Sequence, residues 1–522
     1  MTYQVHVQDG TGQQVMPTST FETLPDQLPP AGVRPFTVML GSCFWSKAPE
    51  AKNVAPSYEA IWSLPFLRPH LNFLVGDQVY LDAPWTDWGG TASPDARWIK
   101  ERIADRYDES WTLLAPVLRH GVTVCITDDH EYWNDYPNGP TIHLTSLARS
   151  ASRRKTFRNI AQLYVDEWQR ARLATTFNIG NPPQLSFFIA DTRQGRTTVD
   201  KGALMPSAEW QELLSWITNL QCPGVLVTNG PLFVPAKGSY LGFISADRNL
   251  PGYPTAHRDL ALALQAAPHD ILVLAGDVHF GRISSVRLEP QVEGVLPVNL
   301  FEVIASPMAQ LPGAEATFWP EDDQDGYPRT WPANLLDWDP TRRPGQIRFL
   351  DLVPKRHDLA HLGRTSTLPT GTEPHFMTLG FTDAGGGAVD VTVLAWLINQ
   401  PKLANGLPIP AFSSRFQLDT DRPPSDGQPR DRFVTHTLRI RDQLDGGPIA
   451  GLANPGQSWS PRLLGSVIRD IEQGYARYYT NASDPNMSTV EVVRPQTGNP
   501  YIRSKANTQT TDNLDNLPSI GI

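Results

Sequence analysis

Two apolar segments far apart in the chain end in the same way. Residues 73–80 read Phe-Leu-Val-Gly-Asp-Gln-Val-Tyr, and residues 271–282 read Ile-Leu-Val-Leu-Ala-Gly-Asp-Val-His-Phe-Gly-Arg. Each run has the length and composition of a buried strand. The glycine lets the backbone turn sharply. Asp77 and Asp277 are then left at the C-terminal edge of a sheet, with Tyr80 and His279 a few residues further on. Open α/β sheets bind their ligands at that edge. Carboxylates and a histidine drawn from both halves of one chain point to a single metal site, and the expectation is a metal-dependent hydrolase.

The rest of the chain alternates in the manner of a sheet covered by helices. Strands are predicted at Tyr3–Val7, Thr18–Thr23, Phe36–Leu40, Leu71–Val75, Val122–Thr127, Leu185–Ala190, Val225–Thr228 and Ile271–Ala275. Helical spacing covers Ser57–Leu64, residues 97–119 and 144–172, Ala208–Leu220 and Arg258–Ala266. After about residue 283 strands dominate, at Ile283–Leu288, Val298–Ile304, Phe376–Phe381 and Val389–Leu397, the last two joined by a glycine-rich turn. Between them, 310–372 is rich in Pro, Trp and Asp and has little periodicity, as lids and site walls often do. From residue 418 on, one strand (Phe433–Ile440) and one amphipathic helix (Leu463 to Tyr475) stand out.

At 522 residues the chain is too long for one simple core. Its net charge of −10, without a block of basic residues, argues against general nucleic-acid binding. No apolar run approaches the roughly 18–20 residues of a membrane helix. The N-terminus shows no basic segment followed by an apolar one, so the expectation is a cytoplasmic protein, or an exported one if the chain is a mature form. Three cysteines make no disulfide framework, and Cys125, inside an apolar run, reads as an inert buried thiol.

Five junctions bring ligand-type residues to one sheet edge: Cys43, Asp77 with Tyr80, Asp128-Asp129-His130-Glu131, Asn229, and Asp277 with His279. A single strand ending in Gly-Asp is more often a turn than a metal site, and a lone histidine is more often structural. The set reads differently, because its members follow strands of one alternating region and so converge. Clustered carboxylates without a cation would repel one another.

The ordered series Gly41-Ser42-Cys43, Gly76-Asp77-x-x-Tyr80, Asp128-Asp129-His130-Glu131 with Asn134, Asp191-Thr-Arg193, Gly276-Asp277-x-His279 and Glu302 to Pro307 resembles that of PhoD-like alkaline phosphatases. These belong to the calcineurin-like metallophosphoesterase superfamily. The resemblance spans about residues 36–310 and implies an α/β fold, a two-sheet β-sandwich flanked by helices, here with a C-terminal extension. Residues 1–30 would be the remnant of a preceding small β-sandwich plus linker, 31–417 the catalytic domain, and 418–522 an extension packed on it.

The same resemblance implies a phosphomonoesterase or phosphodiesterase acting on a phosphate-ester substrate through a metal-activated hydroxide. Cys43, Tyr80 and His279 would hold iron (Fe3+), with Asp77 bridging to a second, hard ion such as calcium on Asp277; manganese, zinc and magnesium are other candidates. For the second ion, Asp129, Asn134 and Asn229 are alternatives, and Asn229 is otherwise a substrate contact. His130 would protonate the leaving alcohol, while Arg193 and Arg282 would stabilise phosphoryl charge or else serve as structural ion pairs. Trp45, Trp85 and Trp133 would wall the site or be buried aromatics. The competing expectation is a catalytically idle binding protein that keeps the fold. Oligomeric state is not legible.

Overall fold

A computed structural model describes residues 2–14, 16–83, 95–138, 150–198, 201–233, 252–288, 297–311, 330–331, 345–353, 373–398, 408–420, 429–439 and 449–454. Further on it describes residues 457, 460, 462–472, 474–480, 488–495, 500–505, 514 and 517–521. The chain divides into two compact units. The first comprises Met1–Phe381 and Thr392–Ser414, the second Thr382–Val391 and Arg415–Ile522.

Two sheets dominate the larger unit. The first has the strand order Phe412–Leu418, Val389–Leu397, His375–Asp383, Phe36–Gly41, Leu71–Val75, Val122–Ile126. Its last three strands run parallel. The second sheet has the order Thr330–Trp331, Gly345–Val353, Gly281–Leu288, Val298–Ile304, Ile271–Ala275, Gly224–Thr228, Leu185–Ala190, Ala174–Ile179. The four strands from Val298–Ile304 to Leu185–Ala190 are parallel neighbours, and the outer ones pair antiparallel.

Phenylalanines join the two sheets. Phe187, on the eight-stranded sheet, meets Phe36, Phe73 and Phe381 of the six-stranded one at ring distances of 6.0–6.1 Å, and stacks on its own neighbour Phe177 at 4.7 Å. Burying each such ring contributes about 1.5–3 kcal/mol. Successive residues of a strand point to opposite faces, so Leu74, next to Phe73, faces the other way. There it packs with Met39, Cys125 and Trp396 against Val54, Tyr58 and Ile61 of the helix Ala51–Trp62 and Leu114 and Val117 of Ala96–Arg119. On the far side, Phe188, Leu226 and Val273 pack against Leu213 and Ile217 of Ser207–Thr218 and Leu260 and Leu264 of Pro254–Gln265. Helix, sheet, sheet and helix thus form four layers, the architecture expected from the sequence.

Several boundaries differ from expectation. The first helix begins at Ala51 and runs through Pro56 instead of starting after it. Ala174–Ile179 was not expected as a strand; it is an edge strand of only six residues with Thr176 and Asn178 exposed. Within the predicted irregular stretch 310–372, Thr330–Trp331 and Gly345–Val353 extend the second sheet, and most of the remainder lies outside the described residues.

The smaller unit carries two four-stranded sheets. One has the order Arg430–Val434, Ala476–Thr480, Ser488–Val493, Tyr501–Ser504; the other Arg462–Leu463, Ile449–Ala453, His436–Arg439, Ser519–Gly521. The single strand expected over 433–440 is therefore two strands in different sheets. The helix Leu464–Glu472 contributes Val467 to a core with Val434, Leu452, Tyr478 and Val490.

Candidate metal centre

Parallel strands from both sheets end at one place. Cys43 follows Phe36–Gly41, Asp77 follows Leu71–Val75, Asp128 to Glu131 follow Val122–Ile126, and Asp277 and His279 follow Ile271–Ala275. Four of these residues have left-handed backbone, Cys43 (φ 55°), Asp77 (φ 58°), Asp277 (φ 71°) and His279 (φ 59°). Such conformations are uncommon for residues with a side chain and gather at functional sites, where surrounding structure holds them.

The two Gly-Asp glycines serve different ends. Gly76 has φ 104°, and a Cβ there would lie 2.5 Å from Asp128 Cβ. At Gly276 the backbone is not left-handed, and the turn argument does not apply. A Cβ there would lie 2.4 Å from Ser42 Oγ, so this glycine permits the two sheet edges to approach.

Three overlapping groups of ligand atoms result, the atoms of each lying within 4.8 Å of one another: Cys43, Asp77 and His279; Asp77, Asp129 and His130; and Asp77, Asp128, Asp129 and Asp277. Asp77 belongs to all three. Its Oδ2 lies 3.5 Å from Cys43 Sγ and accepts from the Tyr80 hydroxyl at 3.3 Å. The Ser306 hydroxyl donates to Cys43 Sγ at 3.1 Å and accepts from the His279 amide at 3.1 Å, tying two expected ligands to one anchor.

The electrostatics of this cluster favour a cation. Burial, then Asp77 and Asp277, push the Cys43 thiol well above its ordinary value. Burial raises Asp77 as well; His130 opposes that, and Asp129, Asp128 and Glu131 add to it. Tyr80 is raised by burial and by Cys43 and Asp77. Anionic ligands that repel one another in a dry site are stabilised together by a metal ion. Sulfur and imidazole group with Asp77 in one set and carboxylates group with it in another, and such donors could hold metal.

His130 is buried with its Nδ1 2.6 Å from Asp82 Oδ1 and its ring 4.3 Å from that of Tyr80. Burial would lower its pKa, but Asp82, Asp129 and Asp77 outweigh that and hold it well above the ordinary value. The other Asp82 oxygen accepts from the Asn134 backbone at 2.7 Å. Sequence reading missed Asp82, which falls five residues after Asp77 and two past the end of its motif. Glu131 is a frame residue: it accepts from the backbone of Asp77 (3.0 Å), Gln78 (2.7 Å), Val79 (3.3 Å) and Asp128 (2.7 Å).

Both expected cations, Arg193 and Arg282, form ion pairs with buried carboxylates. Arg193 is 2% exposed; its Nε donates to Asp128 Oδ1 at 2.5 Å and its Nη1 to Tyr136 O at 2.6 Å. Arg282, 1% exposed, pairs with Glu302 and donates to Phe233 O at 3.0 Å. The Asn229 amide knits three strand ends, donating to Thr127 O at 2.8 Å and accepting from the Thr192 hydroxyl. Trp133 is buried among aromatic neighbours, Trp45 is half-buried, and Trp85 lies outside the described residues.

Comparison with known proteins adds the following. The family model described as "Protein of unknown function (DUF3892)" matches residues 465–518, within the smaller unit. No curated protein matches the chain. Among solved structures, "Structure of PhoD" is 16% identical over 80% of this chain and 75% of that one, with a TM-score of 0.48. A purple acid phosphatase from yellow lupin seeds is 11% identical over 80% of this chain and 59% of that one, with a TM-score of 0.40.

Proposed function

We propose that the chain is a metallophosphoesterase that hydrolyses phosphate mono- or diesters at a two-ion centre. The observation that carries this reading is the convergence of Cys43, Asp77 and His279 within 4.8 Å, with carboxylates grouped on the same Asp77. Cys43, Tyr80 and His279 would hold a trivalent or soft ion, iron by their chemistry, and Asp77 would be shared. Asp129 and Asp277 would hold a hard ion, calcium or another divalent, with Asn134 close behind through its bond to Asp82. Bound there, the ions would supply an acidified water and offset charge on the phosphoryl oxygens.

The chain's own residues supply the rest. Asp82 engages His130 Nδ1, which fixes the ring and leaves Nε2 to give a proton to the leaving alcohol. Glu131, by gathering four backbone N–H groups, holds the Asp77 and Asp128 loops in register. Arg193 and Arg282 stiffen the walls through Asp128 and Glu302, so neutralising the substrate falls to the ions.

The test is turnover of a chromogenic phosphodiester and a phosphomonoester before chelation, after it, and after restoring iron with calcium or manganese. Activity lost and then recovered is expected. A chain inactive under every metal supplied would overturn the proposal in favour of an idle fold.

A further inference from the structure

The Asp128 side chain caps the short helix Asp129–Glu131 by accepting from the Glu131 backbone, and it also takes Arg193. Its Oδ1 takes the Arg193 guanidinium at 2.5 Å, while its Oδ2, among the described residues, has no hydrogen-bond partner although the side chain is 1% exposed. A buried carboxylate oxygen without a partner is costly. Protonation does not remove the problem, since the hydroxyl formed would need an acceptor in the same place. A cation would satisfy that oxygen, and Asp128 offers an oxygen within 4.8 Å of ligand oxygens from Asp77, Asp129 and Asp277.

We propose that Asp128 is a direct ligand of the hard ion, oriented by Arg193, so that this ion sits among four carboxylates, those of Asp77, Asp128, Asp129 and Asp277. This rests on the two-ion reading above and adds to that centre a residue to which the family resemblance gave no ligand role. Arg193, itself donating to Tyr136 O, holds one Asp128 oxygen and leaves the other to the metal, as partners behind metal ligands commonly do. An all-oxygen set with several carboxylates selects calcium, manganese or magnesium over soft ions. Arg193 is thereby a positioning residue.

The experiment is metal titration of the chelated full-length protein and of Asp128→Asn, first with iron and then with manganese. Wild type should take up both, with a visible band from the Cys43 and Tyr80 side. The variant should keep that band and lose manganese affinity by about 10–100-fold or more. Equal manganese affinity in the two proteins would overturn the Asp128 assignment while leaving the two-ion centre intact. Wild type that takes up neither ion and stays colourless would instead sink the underlying function. If Asp128→Asn does not fold, anomalous diffraction from wild-type crystals grown with manganese decides. An ion within about 2.5 Å of Asp128 Oδ2 supports the assignment, and one bound only by the other carboxylates rejects it.

Discussion

Asp82 acts through His130. By taking the Nδ1 proton it sets which nitrogen faces the substrate and keeps a buried imidazole in place beside Tyr80. Asp82→Asn should therefore lower kcat about 10–100-fold while bound metal and KM change little; loss of metal together with activity would instead mark Asp82 as part of the ion site. Cys43→Ser should remove the visible band and most of the iron, since a hydroxyl is a far weaker anionic ligand than a thiolate; a band of unchanged intensity would exclude sulfur ligation. At this scale the sequence was informative about which residues gather: Cys43, Asp77 and His279 form one group, and Asp277 another, of possible ligand atoms within 4.8 Å of one another. It was least informative for charge pairing. Arg193 and Arg282 follow site motifs, yet which carboxylate lies opposite a guanidinium depends on residues about 65 and 20 positions away, Asp128 and Glu302.

The elements act by bringing strand ends together. Gly276 and Ser42, just past the ends of strands in different sheets, lie so close that one added methyl would overlap the hydroxyl. Gly276→Ala should destabilise the fold by about 1–3 kcal/mol and loosen the centre, read as a lower Tm and weaker metal retention; an unchanged Tm would show that the sheets can separate there without cost. Strands such as Leu71–Val75, Leu185–Ala190 and Ile271–Ala275 were legible to the residue, because buried parallel strands are short apolar runs between breakers. Ala174–Ile179 was not, since an edge strand keeps one side in water and its threonines and asparagine blur the pattern. The smaller unit's strands are obscured for the same reason: Arg430–Val434 and Ala476–Thr480 bury every second residue, and Arg430 and Arg432 are among those buried.

For the molecule as a whole, buried histidines set a limit in acid. Burial holds His70, His257 and His375 down to about 4, against an ordinary 6.5. Between those values the unfolded chain binds protons that the folded chain does not, so stability falls as pH drops from 6.5 towards 4 and is unaffected by these groups above that window. Each contributes roughly 1–2 kcal/mol of loss by pH 5. Thermal melts of wild type and His375→Gln should converge as pH is lowered from 7 to 5; parallel curves would show that His375 is not buried neutral. The helix cover of the larger unit followed from alternating strands and helices and its two-sheet order from the family resemblance, whereas the job of the smaller unit, in which the family of unknown function matches, was not legible.

Metal content per chain, measured with the visible spectrum of the same sample, tests the central claim most directly. The account predicts one iron and one hard divalent ion, with a charge-transfer band that disappears in Tyr80→Phe or Cys43→Ser. Colourless protein that binds no metal when iron, calcium, manganese or zinc is supplied would contradict it.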